Sequence, residues 1–168
     1  MTIATDTTPG RFRGWIHRVF GGPSAVYGLI LYAALIAGVS DESTDSLEVL
    51  IVSFITLIIF FIEHVFAHTL SDHGEHGFWN ALEGGVRESV GMLYAAIPST
   101  LVLILGATTH MDADDSVGLA LLVGTIVLGV LGYSAYARRG AGPLVRIVGA
   151  VGTAILGFAI MILNYAVH

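Results

Sequence analysis

Between residues 62 and 77 the chain reads IEHVFAHTLSDHGEHG, in which four histidines and three carboxylates close an otherwise apolar run. Histidine changes charge near neutral pH, and imidazole with carboxylate also suits zinc, iron or manganese. The stretch therefore admits a proton or ion pathway, a divalent-metal site, or a solvated interfacial cluster whose ion pair only pins two helices. Helical positions advance by about 100°, so His64, His68 and Asp72, four apart, form a ladder on one face, with Glu63 about a quarter-turn away. His73, Glu75 and His76 are expected in the loop that follows.

The partners of this ladder are expected in ALEGGVRES, residues 81–89. Glu83 and Arg87 are four apart in the favourable acid-before-base order, and Glu88 follows. A short connection makes the two segments an antiparallel hairpin with charged ends at similar depth. Arg87 is then expected to pair with Glu63 or Glu83, and Glu88 to face the histidines. The pathway reading uses Glu63, His64, His68, Arg87 and Glu88; the metal reading uses His64, His68, Asp72 and Glu88, with a divalent metal ion as the only cofactor implied.

Enzymatic readings are poorly supported, and no residue is assigned a catalytic role. The order E-H-x-x-x-H is not the H-E-x-x-H of metalloproteases, and no G-x-S-x-G nucleophile turn occurs. The chain has no cysteine and no lysine, which excludes thiol chemistry, lysine Schiff bases and Walker-type phosphate loops.

These residues must be positioned by apolar helices. Of 168 residues, 55% are hydrophobic and 12% charged, and mean hydropathy is +0.81. Soluble domains carry about 25% charged residues, so the deficit marks surface that faces lipid. Five apolar segments, 25–40, 47–70, 89–108, 117–137 and 147–167, approach or meet the roughly 20 residues that a helical span needs; GGP at 21–23 extends the first. All seven basic residues are arginines, at 11, 13, 18, 87, 138, 139 and 146, on one side of a five-span arrangement. The opposite loops, DESTDS (41–46) and HMDADDS (110–116), carry acids and no arginine. By the positive-inside rule the N-terminus is cytoplasmic and the C-terminus outside.

Residues 11–22 place Phe12, Trp15, Ile16, Val19 and Phe20 on one helical face, with Arg11, His17 and Arg18 opposite. This composition predicts an interfacial amphipathic helix anchored by Trp15, Arg11 and Arg18, after a flexible segment 1–10. Small residues at four-residue spacing (Ala120 and Gly124; Thr125 and Gly129; Gly149, Thr153 and Gly157) are read as helix-packing positions. Pro98 is expected to bend the third span.

The blocks EHVFAH, GVRESV and LNYAVH give the chain a further reading. With His64 to Ala67, Arg87 with Glu88, and His168 at these points, it resembles a family of small actinobacterial polytopic integral membrane proteins. The resemblance implies a bacterial plasma membrane location and five spans, and no particular activity. The expected protein is thus an all-α integral membrane protein, a single domain over 23–168 with five transmembrane helices. Five short spans enclose little space, so a homo-oligomer is expected. Its expected partners are the lipid bilayer and a small ion or proton, with no nucleic acid.

Overall fold

Apolar runs rich in alanine, glycine and leucine leave the backbone no stable option in a non-aqueous surrounding except to satisfy its hydrogen bonds within each segment. The computed structural model describes residues 23–43 and 45–167, and these form five helices and no strand. They are α1 (Pro23–Ser40), α2 (Ser46–His76), α3 (Phe78–Thr109), α4 (Ala113–Arg138) and α5 (Pro143–Val167). All five are long and apolar enough to cross a membrane. The sequence-predicted flexible segment 1–10, the interfacial helix with Trp15, Arg11 and Arg18, and the terminal His168 lie outside the described residues.

The helices exceed the expected apolar segments chiefly at their charged ends. The segment to His76, expected as loop, continues α2, and ALEGGVRES lies within α3. Only Gly77 separates the two helices; its φ of 75° is a left-handed conformation that glycine adopts without steric penalty. At the opposite end α3 closes on His110, φ 55°, whose N–H donates to the Gly106 carbonyl. Asp112 then caps α4 by accepting from the Ala113 N–H, and Asp114 and Asp115 occupy the first turn, where negative charge complements the helix dipole. Helix α3 runs through Pro98 without a break.

Helix α1 is the centre of the bundle and packs against all four others. Half of the α1 span is buried, against 22% for α2 and 11% for α5, which makes those two the outer helices. Tyr32, Ile36, Leu57, Ala96, Leu103 and Leu121 form the main core. Helices α4 and α5 meet through their small residues: a Cβ on Gly157 would lie 2.7 Å from Thr125 Oγ1, and one on Gly132 would collide with Gly149 and Thr153. The small-residue positions of α5 therefore pack within the chain.

Polar side chains add bonds between helices. Ser24 donates to the Glu88 carbonyl, Ser99 to the Ala120 carbonyl at 3.0 Å, Thr100 to Tyr32 at 3.0 Å and Thr153 to the Leu128 carbonyl at 2.7 Å. Asn164 ties α5 to α1 through the Ala37 carbonyl and Ser40 Oγ, at 3.3 and 3.0 Å. Interhelical bonds of this kind contribute on the order of 0.6–2 kcal/mol each in membrane helices. The alternating helices put Arg87, Arg138, Arg139 and Arg146 towards one end, and the 41–43 and 110–112 turns at the other.

Candidate functional site: a histidine between two carboxylates

The site begins with glycine. Gly85 of α3 faces Val65, His68 and Thr69 of α2 so closely that an added Cβ would lie 2.9 Å from the Val65 carbonyl oxygen and 3.4 Å from His68 Cβ. That approach brings Glu88, one turn further along α3, onto His68. The His68 Nε2 to Glu88 Oε2 distance is 2.7 Å, within the range of charge-assisted bonds. On the other side of the ring, His68 Nδ1 lies 3.6 Å from Asp72 Oδ2, beyond hydrogen-bond length. Nδ1 is shielded from solvent and has no hydrogen-bond partner among the described residues.

One imidazole therefore stands between two carboxylates from two helices. With a single ring proton on Nε2 it donates to Glu88. With a second proton on Nδ1 it becomes a cation flanked by both acids, and a small movement of Asp72 would complete the second bond. Ser24 anchors the Glu88 backbone to the start of α1, so three helices converge at this point.

His64, one turn away, is part-buried and stacks on Tyr27 of α1, with ring centroids 6.2 Å apart and planes at 27°. The expected ladder thus holds between His68 and Asp72, while its first rung turns to α1. Glu63 is exposed, with no ion pair or hydrogen bond among the described residues. Around it lie exposed apolar side chains, Ile59, Ile62 and Phe66, at 57, 60 and 58%. Tyr27, level with His64, is thirteen residues from Ser40, about 20 Å of helix; from His64 to the turn at Gly77 is roughly 20 Å as well. Along α2, Glu63 is about 26 Å from Ser46 and about 20 Å from His76.

One expectation fails. Arg87 pairs with neither Glu63 nor Glu83; it is exposed and has no ion pair among the described residues. Two positions past Gly85, it projects about 200° around α3, away from the face that meets α2. Among the described residues no group of three or more His, Asp or Glu side chains is arranged to hold an ion. Asp72 and Glu88 approach opposite ring nitrogens of His68, so one ion bound at either nitrogen is beside only one of them, and His64 has turned to Tyr27.

Sequence reasoning missed Tyr27, Ser24 and Gly85. A Gly-Gly pair opposite a histidine was the available signal for Gly85; Tyr27 and Ser24 depend on how α1 packs. Substitution of Gly85 by valine is expected to push α2 from α3, break the His68–Glu88 contact and destabilise the protein by about 1–3 kcal/mol. Gly84→Ala should be tolerated there, because its nearest contact is His68 Cε1 at 4.0 Å. Thermal unfolding of both variants in detergent separates the two effects.

No protein-family model, no curated protein and no solved structure matches this chain.

Proposed function

We propose that the protein is an oligomeric ion channel or proton-linked transporter of a bacterial plasma membrane, with its N-terminus in the cytoplasm and its titratable cluster on the cytoplasmic side. The observation that carries this reading is the His68 ring between Glu88 and Asp72, 2.7 and 3.6 Å away. Ionisable groups in membrane spans are expensive and mark ion or proton routes. On α2 the order Asp72, His68, His64, Glu63 offers titratable groups at steps of one helical turn or less. A proton entering at Asp72 and His68 would pass to His64 and reach Glu63, about 14 Å along α2 from Asp72.

Glu63 supports the oligomeric part of the reading. In a bilayer its carboxylate would face acyl chains unless protonated or covered, and an unpaired charge there is costly. A neighbouring copy can cover it. Arg87, exposed and without an ion pair on α3, is the complementary charge, and the antiparallel register seen at Gly85 sets it about one turn from the level of Glu63. Contact of the α2 face of one copy with the α3 face of the next is head-to-tail, a contact that forms a ring when its rotation closes, and a ring would give a small subunit a shared pathway.

The test is proton and cation flux in proteoliposomes bearing the wild type or the combined Glu63→Gln/His64→Ala variant. The reading requires the variant to lose most of the wild-type flux; identical flux from both would remove the pathway from this cluster.

A further inference from the structure

The titratable steps on α2 end at His64 and Glu63, and about 26 Å of helix still separates Glu63 from Ser46. Between Glu48 and Glu63 the helix carries no titratable side chain, and its only hydroxyls are Ser53 and Thr56. Thr56 donates to the Val52 carbonyl at 2.8 Å. Ser53 is fully buried, yet its hydroxyl has no hydrogen-bond partner among the described residues. Other buried hydroxyls donate to the carbonyl four residues back, as Thr69 does to Val65, Ser89 to Gly85 and Thr125 to Leu121. Buried polar groups are nearly always paired, so an unpaired one asks for a reason.

Two more interior atoms lack a partner among the described residues, Ser46 Oγ and His68 Nδ1, and both are also on α2. Ser46, Ser53 and His64 project within about 20° of one another, and His68 about 40° from His64. This stripe faces α1. His64 stacks on Tyr27, and Tyr32 belongs to the same core as Val49 and Leu57, one turn to either side of Ser53. Tyr32 is about 7.5 Å beyond Tyr27 along α1, and Ser53 about 16.5 Å beyond His64 along the antiparallel α2, so Tyr32 lies between them in depth. Thr100 Oγ1 is 3.0 Å from both the Tyr32 hydroxyl and the Ala96 carbonyl. When the Thr100 proton goes to Tyr32, the phenol keeps its own for a further acceptor; when it goes to Ala96, the phenol donates to Thr100. The pair therefore has two proton arrangements.

We propose that Ser46, Ser53 and the Tyr32–Thr100 pair hold a file of single water molecules that carries protons, and no other ion, between His64 and Glu48. A buried water makes about three hydrogen bonds to polar groups that otherwise lack partners, which these side chains offer. Each water or hydroxyl takes a proton from the His64 side and releases its own towards Glu48, so none is left charged. The Glu48 carboxylate, exposed in the first turn of α2 and bonded to Ser43 at 2.7 Å, receives it. A metal cation would have to shed its hydration among Ser53, Leu57 and Tyr32, all fully buried, and neither α1 nor α3 beyond Glu88 has a carboxylate to replace it. The file rests on the transport reading and names its cargo. Neighbouring copies meet at Glu63, whereas the far half of the crossing lies inside each subunit.

Proton flux into proteoliposomes under a pH gradient tests the file in the wild type, His68→Ala, Tyr32→Phe/Ser53→Ala, Ser53→Thr and Ser53→Val. Tyr32→Phe/Ser53→Ala is expected to lower proton flux roughly tenfold or more, since each lost hydroxyl removes a hydrogen bond from the path. Threonine and valine have nearly the same shape, so a packing effect would lower both alike; the file requires Ser53→Thr to carry more protons than Ser53→Val. Potassium flux through the wild type should not exceed the protein-free leak. Wild-type flux in Tyr32→Phe/Ser53→Ala beside a loss in His68→Ala would overturn the file and leave the transport reading standing. Equal flux in Ser53→Thr and Ser53→Val, or potassium flux above the leak, would overturn it as well. Absence of proton flux from the wild type would overturn both. Variants are compared after each elutes as the wild type does on size exclusion.

Discussion

Replacing His68 by alanine is expected to lower proton flux by roughly a hundredfold, the lower end of the range for a positioned proton-transfer group, while leaving the fold intact. The side chains of His68 and Glu88 are 25 and 53% exposed, so solvent screens their attraction and the stability lost should be about 1 kcal/mol or less. The Gly85 contact and the Ser24 bond to Glu88 hold α2, α3 and α1 together without the ring. His68→Gln sharpens the test. A glutamine amide can still donate to Glu88, but it cannot take up a proton, so it should restore thermal stability and not flux. If His68→Gln carries protons as well as the wild type, His68 is a strut and the relay is elsewhere.

The second large effect concerns assembly. Reversal of either charge, Glu63→Arg or Arg87→Glu, is expected to shift the protein in detergent from an oligomer to smaller species. The double reversal Glu63→Arg/Arg87→Glu should restore the assembly. Removing one member of a desolvated charge pair costs about 2–5 kcal/mol, much of it from the charge left behind, and reversal adds repulsion to that loss. The two residues do not pair within the chain, so recovery in the double variant would have to come from contact between copies. Mass measurement of the four proteins by light scattering is sufficient. An unchanged mass in both single variants would separate Glu63 and Arg87 from any interface, and the exposed carboxylate would then need protonation to remain among Ile59, Ile62 and Phe66.

Much of this architecture can be read from residue type and spacing. Five apolar runs and arginines confined to alternate connections anticipate five antiparallel helices, and a short connection between the second and third spans anticipates the α2–α3 hairpin that brings Glu88 to His68. The length of α2 is less legible. SDHGEH looks like loop because its residues are polar, yet with i,i+4 proximity of His68 and Asp72 and a glycine available to turn at position 77, the helix continues to His76. The direction of Arg87 was available from rotation about the helix once Gly85 is recognised as the contact. Spacing alone favours pairing with Glu83, but on an exposed face two long side chains gain little from closing.

What the sequence withholds are the contacts of α1. Tyr27 against His64, Ser24 against Glu88 and Asn164 against Ser40 join residues from distant parts of the chain. They arise because α1 is the central helix, and no local pattern in its near-uniform apolar sequence announces which side meets which neighbour.

The most direct test of the central claim is proton and monovalent-cation flux into liposomes containing the purified wild-type protein, measured beside protein-free liposomes under an imposed pH gradient. The account predicts flux well above the protein-free leak, driven by that gradient and depressed in His68→Ala. A leak equal to that of protein-free liposomes, for protons and cations alike, would contradict it.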